Sequence, residues 1–391
     1  MSSAAANSYD VAITGAGPAG TSLAIRLANA GHKVLLVEQK QFPRAKLCGE
    51  FISPECLAHF SQLGVLEQMT LAAAAISRTV FYARSGRALI VPNEWFQPGS
   101  YALGLSRAEM DNVLLERARA VGVDVRENTA ATDLLFEGDT ISGLRLKTQG
   151  RTFEIGTKLA IDATGRSRAL VRHLARTTGK TKLKRADFVA FKTHLTGASV
   201  AEGDCEIYAY RGGYGGCVRV TDDIHNLCFI VPASTAKRHN SDPSEILQQV
   251  VLGNLRAAES LSNARPVNGW LAVPIERYGR TDLAPARGLL TVGDASAFID
   301  PFTGSGILLA LESAQVASAV IKKDLLNDDE GFSVIRTEYA SRYAAAFNSR
   351  HRVSSMLRRA AFVPYLAGVV IRGLSVSDRL ARRVAEATRH S

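Results

Sequence analysis

The chain has 391 residues, of which 46% are hydrophobic and 21% charged, and this composition excludes a disordered chain or a small disulfide-stapled fold. The five cysteines form no CxxC pair, so we expect reduced thiols and no metal site. The formal net charge of +10 is concentrated in the C-terminal tail, and no recognition motif indicates a nucleic-acid partner.

Membrane-spanning and secreted proteins are not indicated either. The long stretches without charged residues, such as 224–236, are all shorter than the roughly 18 residues of a spanning helix. The first ten residues contain neither a basic residue nor an apolar run, so they do not resemble a secretory signal. We expect a cytoplasmic protein, and no sequence feature indicates its oligomeric state.

The chain begins with a predicted βαβ unit. Residues 9–14 form an apolar run typical of a strand, the sequence GAGPAG follows, and small residues predict a helix over 21–30. The next apolar run, 33–37, predicts a second strand. It ends at Glu38, 18 residues after the last glycine of the loop, which is close to the spacing of the acid that binds an adenosine ribose.

Each position of this loop has a physical role in dinucleotide binding. Gly15 allows the tight turn, Gly17 allows close approach of a pyrophosphate, and Gly20 allows the helix to pack on the strand, while Ala19 lies in the first helical turn. The N-terminus of the helix supplies amide donors to the phosphates. The motif predicts a dinucleotide, and by itself it leaves FAD and NAD open.

The later elements follow the same strand, turn and helix signals. Strands are predicted at 79–83 and 88–91, as a meander over 130–161 that is broken at 137–139 and 149–150, and within 188–232 and 267–278. Helices are predicted from position 105 onwards and over 244–259 and 307–321. One strand ends at Asp162 before a glycine turn, and another leads into an acidic turn at Asp294.

Together, the βαβ unit, the strand ending at Asp162 and the segment 288–306 resemble the FAD-dependent family of the para-hydroxybenzoate hydroxylase fold. The resemblance lies in the branch of geranylgeranyl reductases, flavin halogenases and monooxygenases, and it covers about residues 8–325. It implies an α/β fold with non-covalently bound FAD, in which a Rossmann-like FAD-binding domain is interleaved with a β-rich substrate domain and followed by C-terminal helices.

This resemblance implies three domain assignments. We expect a discontinuous FAD-binding domain over 1–78, 101–180 and 280–325, a substrate domain over 79–100 and 181–279, and a C-terminal helical region over 326–391.

The resemblance also assigns residues to the flavin. It implies that Asp294 binds the ribitol, with an ordinary helix N-cap as the alternative role. A helix start formed by Pro301, Gly304, Ser305 and Gly306 would lie at the N1 and O2 edge of the flavin. A helix N-terminus stabilises the negative charge of reduced flavin at that edge, so Pro301 and Gly304 are candidates for the flavin-edge site.

Residues 42–50 resemble the stretch that runs along the flavin in this branch. Arg44 would lie near the cofactor, and Cys48 and Gly49 near the isoalloxazine ring. Cys48 is either a catalytic thiol or a small residue beside the flavin, and we expect the second because no histidine or second cysteine lies close in sequence to activate it. Arg107 would face the cofactor, and the alternative is a surface arginine on a helix.

The absence of certain motifs limits the classes of reaction that we expect. There is no second GxGxxG after a strand, so NAD(P)H is expected to visit only transiently as the reductant. Residues 212–220 lack the WxWxIP signature of halogenases and the YxWxFP-like element of geranylgeranyl reductases. We therefore favour an NAD(P)H-dependent monooxygenase of secondary metabolism that hydroxylates a hydrophobic aromatic or polyketide-like compound. The alternatives are reduction of carbon–carbon double bonds in a prenyl lipid and non-catalytic prenyl or lipid binding.

Two regions are candidates for contact with a small hydrophobic substrate or its membrane. Aromatic residues and one histidine on the predicted strands of the substrate domain could line an apolar cavity, and these are Phe191, His194, Tyr208, Tyr210, Tyr214 and Trp270. His194 is either a base for deprotonating a phenol or a structural histidine, and we expect the second. The uncharged stretch 360–371 is flanked by arginines, which predicts either a peripheral membrane contact or a helix that packs on the FAD-binding domain.

Overall fold

The structure is a computed structural model that describes residues 8–97, 99–177, 186–275, 279–298, 302, 304–327, 329–362 and 366–388. Pro301, one of the predicted flavin-edge residues, lies outside the described residues. The strands, in chain order, are Ser8–Thr14 (β1), Val34–Val37 (β2), Phe51–Ile52 (β3), Ala74–Ile76 (β4), Arg78–Tyr82 (β5), Ala88–Pro92 (β6), Ala102–Gly104 (β7), Asp124–Arg126 (β8), Thr129–Glu137 (β9), Thr140–Thr148 (β10), Arg151–Asp162 (β11), Phe188–Thr196 (β12), Asp204–Tyr210 (β13), Gly213–Arg219 (β14), His225–Pro232 (β15), Arg265–Pro266 (β16), Leu271–Ile275 (β17), Gly279–Arg280 (β18), Leu289–Thr291 (β19) and Ala297–Phe298 (β20).

The α-helices, in chain order, are Pro18–Asn29 (α1), Cys56–Leu63 (α2), Leu66–Leu71 (α3), Arg107–Ala120 (α4), Ala169–Thr177 (α5), Ala233–Arg238 (α6), Pro243–Gln249 (α7), Leu255–Ser260 (α8), Gly306–Val320 (α9), Asp329–Phe362 (α10), Leu366–Leu374 (α11) and Asp378–Ala387 (α12). The single helix predicted over 244–259 is wrong, because the segment contains α7, a 3₁₀ turn and α8. Asn254 starts α8 by accepting hydrogen bonds from the amides of Arg256 and Ala257.

The first sheet has the strand order β8-β2-β1-β11-β10-β9, and β19 also pairs with β11. Strands β8, β2, β1, β11 and β19 are parallel, and β9 and β10 form the antiparallel meander predicted from the sequence. Helices α1, α4, α9 and α10 contribute to the apolar core on one face of this sheet. Because the five parallel strands run in one direction, their carboxyl ends meet at one edge, where ligands bind in such sheets.

The second sheet has the order β16-β12-β15-β14-β13-β5-β6, and β17 pairs with β12. Its two faces have different neighbours, as the alternation of side chains along a strand requires. Phe191, Phe229 and Val231 pack with residues of α6, α7 and α8. Ala190 and Ile230 lie on the opposite face and line a cavity shared with the first sheet. The predicted α/β fold with a Rossmann-like unit and a β-rich region is confirmed.

The C-terminal helices follow two different surfaces. Helix α10 packs on α9 through Tyr339, Tyr343 and Phe347. Helices α11 and α12 instead place Ile371 and Ala381 against β6 and the hairpin that it forms with β5, whereas packing on the FAD-binding domain was one of the two expectations. Every helix within the described ranges is too short or too polar to cross a bilayer.

Candidate active site

A cavity of about 900 Å³ lies between the two sheets. One part of its wall, here called the charged side, comes from the ends of β1, β2 and β11, the segment 44–49, α4, α5 and the turn after β19. The other part, here called the apolar side, comes from the second sheet and from α11 and α12. The lining residues Gly15, Gly17, Ala19, Glu38, Arg44, Cys48, Gly49, Arg107, Asp294, Gly304 and Gly306 were all predicted from the sequence, whereas the predicted Gly20 and Ser305 do not line the cavity.

The glycine loop shows which positions the chain itself requires. A Cβ on Gly15 would lie 2.5 Å from the carbonyl oxygen of Ala163, and a Cβ on Gly20 would lie 1.9 Å from the carbonyl oxygen of Gly15. Gly15 also has a φ of 103°, which favours glycine. At Gly17, in contrast, the nearest atom to such a Cβ is Lys46 Nζ at 3.7 Å. The space at Gly17 is therefore left for a ligand.

Helix α1 begins beside this space, with Gly17 as its N-cap and Pro18 in its first turn. Among the described residues no side chain caps it, and its first turn contains no acidic residue. The first amides of a helix have no partner within the helix, and the helix dipole adds positive potential. The start of α1 thus fits a phosphate or pyrophosphate.

Glu38 lies at the end of β2 and is 4% exposed. Its carboxylate accepts hydrogen bonds from the amides of Ala16 at 3.0 Å and Lys40 at 3.1 Å, and from Arg44 Nη2 at 3.3 Å. It therefore holds the glycine loop in place. A carboxylate has about four acceptor positions, so one is still available for a ribose hydroxyl.

Asp294 lies in the 3₁₀ turn after β19 and lines the cavity. Burial raises the pKa of its carboxyl to about 6, although Arg166, Arg107 and Arg168 act in the opposite direction. None of the described residues donates a hydrogen bond to this carboxyl. A partly buried carboxylate that faces the cavity without a donor fits a ligand that carries hydroxyl groups, as the ribitol chain of FAD does.

The start of α9 also faces the cavity, through Gly306 and Ile307. Ser305 is its N-cap, and Gly304 has a φ of 63°, which favours glycine. Phe302 connects this segment to the second sheet, because its ring lies 5.0 Å from that of Tyr214 and 5.5 Å from that of Phe81. The helix start and an aromatic cluster therefore share one part of the cavity.

A buried ionic cluster, which the sequence did not indicate, joins the two sheets behind Cys48. Glu50 is 1% exposed, and its carboxylate binds Lys192 Nζ, His194 Nε2 at 2.6 Å and the amide of Arg107 at 2.8 Å. Burial acts to raise the pKa of Glu50, but hydrogen bonds and charge from His194, Lys192 and Arg107 hold it below its ordinary value. His194, which was considered as a base toward the substrate, is thus occupied by Glu50.

The same cluster fixes the segment that carries Cys48. Lys192 Nζ donates to the carbonyl oxygen of Lys46 at 3.2 Å, and Asn226 donates to that of Cys48 at 3.1 Å. From the other direction, Asp111 accepts from Arg107 at 2.8 and 2.9 Å and pairs with Lys46 Nζ at 2.7 Å. The Arg107 side chain is only 12% exposed and lines the cavity.

The apolar side has no charged lining residue among the described residues. Its lining from the second sheet includes Phe81, Leu89, Val91, Ile207, Tyr214, Val218, Cys228 and Ile230. Burial raises the pKa of Cys228 and Cys205 to about 12, so both thiols are neutral at ordinary pH. This wall suits an uncharged, largely hydrocarbon ligand.

Most of the aromatic residues predicted to line this cavity do not do so. Tyr214 lines it, but Phe191, Tyr208, Tyr210 and Trp270 pack on the opposite face of the second sheet. Strand alternation places Phe191 away from its neighbours Ala190 and Lys192. The prediction was wrong for these four residues because alternation groups side chains by face without showing which face is covered by helices.

Comparison with known proteins assigns the chain to a family of FAD-binding proteins. The model of the family described as FAD binding domain matches residues 8–322, and the chain belongs to this family. It is 27% identical over 345 residues to a digeranylgeranylglycerophospholipid reductase of Methanosarcina acetivorans, covering 86% of this chain and 80% of that protein.

Solved structures with low identity share the fold. A flavin-dependent brominase, Bmp2, superposes with a TM-score of 0.81 at 18% identity, covering 98% of this chain and 94% of the other. A geranylgeranyl bacteriochlorophyll reductase-like protein of Thermoplasma acidophilum gives 0.79 at 18% identity, covering 97% and 96%. The protein is therefore an FAD-dependent oxidoreductase with FAD as its cofactor, and the loop at Gly17, the start of α1 and Asp294 fit that cofactor.

Proposed function

We propose that the protein reduces carbon–carbon double bonds in the hydrocarbon chain of a prenyl-type lipid. The observation that carries the proposal is the apolar side of the cavity, which has no charged lining residue among those described. A base near the ring oxygen would assist hydroxylation of a phenol by removing its proton. The histidine considered for that role, His194, binds Glu50 instead. The reductase relative at 27% identity supports this choice over the monooxygenase that the sequence favoured.

The chemistry divides between cofactor and protein. When bound and reduced, FAD would supply the hydride for one carbon of the double bond, so the chain itself must deliver a proton to the other carbon. Cys48 lies on the cavity wall at the boundary between the charged and apolar sides. Its thiol accepts a hydrogen bond from the Glu50 amide at 3.3 Å. Contrary to the expectation from the sequence, we assign Cys48 as the candidate donor of the proton, and the Glu50 cluster as the structure that positions it.

NAD(P)H is the proposed reductant of the flavin. Arg166, Arg172 and Arg176 line the charged side, and an arginine-rich wall suits the phosphates of a visiting nucleotide. Rapid mixing of the oxidised protein with NADH or NADPH under nitrogen should bleach the flavin absorbance with one of them. A flavin that stays oxidised with both would show that another electron donor is used.

The reaction is tested without assuming the natural reductant. Protein reduced with dithionite under nitrogen is mixed with a geranylgeranyl lipid, and the products are separated by mass spectrometry. We expect products that gain two hydrogen atoms per reduced double bond and need no oxygen. Products that form only after oxygen is admitted, and that carry one atom of labelled oxygen, would overturn the proposal in favour of the monooxygenase. The Gly17→Val variant, which we expect to lack FAD, is the matched control.

A further inference from the structure

Helices α11 and α12 present one apolar face each to the cavity. On α12 the lining residues Ala381, Val384, Ala385 and Thr388 recur at the spacing of a single helical face. The arginines at positions 379, 382 and 383 lie on the exposed part of the same helix. The tail therefore contributes wall to the cavity and basic charge to the surface.

The tail wall is continuous with the second sheet. Leu89 and Val91 of β6 line the cavity and also pack with Ile371 of α11 and Ala381 of α12 in one apolar cluster. Ala381 is 3% exposed and Ile371 is 7% exposed. Since β6 is the last strand of the second sheet, the tail closes the apolar side beyond that edge.

Small residues in this wall leave room. Of the lining residues on α12, two are alanines, and Ala385 is only partly buried. A wall built of alanine defines the end of a cavity without filling it, and a larger side chain there would shorten the space available to a ligand. Leu374 of α11 is the bulkier lining side chain at the end of its helix.

We propose that α11 and α12 form the end wall of the binding site for an apolar chain, and that Ala385 and Leu374 determine the length of chain that is accepted. The occupant is a linear isoprenoid or alkyl chain, because the wall from β6 to α12 carries no charged lining residue among those described. The identity of the ligand as a substrate rests on the proposed function, whereas the position of the wall does not.

The test is binding of prenyl alcohols of increasing length, namely geraniol, farnesol and geranylgeraniol, followed by the change in flavin absorbance. Ala385→Phe should weaken geranylgeraniol binding by about tenfold or more and geraniol binding by less than about twofold, because a hydrophobic pocket discriminates sharply against groups that do not fit. Leu374→Ala should shift the preference toward the longest alcohol. Arg383→Phe, which adds the same ring on the exposed face of α12, is the control and should change neither.

Three outcomes contradict the inference. Equal weakening of all three alcohols by Ala385→Phe, or the same pattern in Arg383→Phe, would show that the tail is not the end wall. Wild-type protein that binds none of the alcohols would overturn the apolar-chain site itself. If Ala385→Phe weakens binding of the longest alcohol most, as expected, but the dithionite-reduced wild type does not reduce the geranylgeranyl lipid, the proposed function fails and the end wall stands.

Discussion

The charged and apolar sides of the cavity are assembled in different ways. The charged side consists of short segments that follow strands of the first sheet, so that Gly15, Gly17 and Glu38 lie within 24 residues of one another in the chain. The apolar side combines β5 and β6 from the early part of the chain, β12 to β15 from the middle and α12 from its end. The part of the charged side around the glycine loop is local in sequence, although Arg107 and Asp294 join it from distant positions, whereas the whole apolar side is assembled from distant segments.

This difference changes how each side binds. The charged side binds its ligand through backbone amides, through glycines that leave space and through single carboxylates. Each of these groups contributes only when it is held at a specific position relative to the ligand. Binding to the apolar side depends on the apolar surface area that is buried, and many side chains each contribute a small part of that area. Single substitutions should therefore have large and specific effects on the charged side, and graded effects on the apolar side.

The largest expected effect is at Gly17. Gly17→Val places a side chain in the space that the loop leaves open, so the pyrophosphate cannot approach, and we expect FAD affinity to fall by about 1,000-fold, or about 4 kcal/mol. The folded chain meets only Lys46 Nζ there, so thermal unfolding of the FAD-free variant should differ little from that of the FAD-free wild type. Absorbance of the purified protein and titration with FAD measure the effect.

Two matched variants sharpen this prediction. Gly20→Ala should unfold the chain, because its Cβ would overlap the Gly15 carbonyl. Gly253→Val lies in a 3₁₀ turn where an added Cβ meets nothing within 4 Å, and it should keep both FAD and stability. A yellow Gly17→Val protein would show that the loop does not receive the pyrophosphate.

The second effect is at Glu50, on the boundary between the two sides. Glu50→Gln leaves the buried Lys192 without its carboxylate, and we expect a loss of about 3 kcal/mol in the free energy of unfolding at pH 7. Glu154→Gln breaks an exposed pair with Arg145 and should cost less than about 1 kcal/mol. Urea unfolding followed by circular dichroism measures both.

The pH dependence tests the cause of the Glu50 effect. Because the pKa of Glu50 is lowered in the folded chain, its contribution is present above the ordinary glutamate value of about 4.3 and is lost as the pH falls through the folded value. The difference between wild type and Glu50→Gln should therefore shrink below about pH 4. A difference that stays constant down to that pH would indicate lost packing rather than lost charge.

Replacing Asp294 should change the free energy of unfolding by less than Glu50→Gln does, and in the opposite direction. Its pKa is raised to about 6, so the folded FAD-free chain binds this proton more tightly than the unfolded chain, and stability falls as the pH rises from about 4 to 6. Asp294→Asn should therefore stabilise the FAD-free protein by about 2 kcal/mol at pH 7.5, with little difference near pH 4.

The same substitution should weaken FAD binding, because the amide is a poorer acceptor for a ribitol hydroxyl than the carboxylate is. Thermal unfolding with and without FAD separates the two effects. A variant that is destabilised without FAD at pH 7.5 would show that Asp294 has a structural role, such as the N-cap considered from the sequence.

These effects also show what the sequence could predict. Gly15, Gly17 and Glu38 were predicted to lie together because the strand, the glycine turn and the helix are consecutive in the chain, and the structure places all three on the wall of one cavity. Lys192 and His194 share a strand face by alternation, which is visible in the sequence, but their common partner Glu50 is 142 and 144 residues away. No local pattern connects residues so far apart.

The faces of the second sheet show the same limit. Alternation correctly separates Phe191 from Ala190, yet both faces of this sheet carry buried apolar side chains. The aromatic face is covered by α6, α7 and α8, which follow β15 in the chain, and the smaller side chains line the cavity. The helix predicted over 244–259 failed for a local reason that the sequence did contain, since Gly253 ends the 3₁₀ turn after α7 and Asn254 starts α8.

The smallest expected effect concerns the outer surface of the tail, where the basic residues suggested contact with a membrane. The apolar face of α12 is turned into the cavity, so only the exposed arginines and a few exposed apolar residues such as Val376, at 82% exposure, can meet a lipid surface. We expect weak recovery of the protein with anionic vesicles in flotation, and less at high salt. Replacing Arg379 and Arg383 by glutamine should lower this recovery, by at most about 1 kcal/mol of binding free energy per arginine.

The matched control removes the same two charges elsewhere. Lys147 and Arg151 are exposed on the hairpin of β10 and β11, and their replacement by glutamine changes the net charge equally but leaves the tail intact. An equal fall in both double variants would show that net charge alone attracts the protein to the vesicles. Equal recovery with neutral and anionic vesicles would show that the tail arginines do not act at a membrane. A fall confined to the tail variant would instead place the end wall of the cavity next to the lipid surface, so that an apolar chain leaving the bilayer would first meet the helix that closes its binding site.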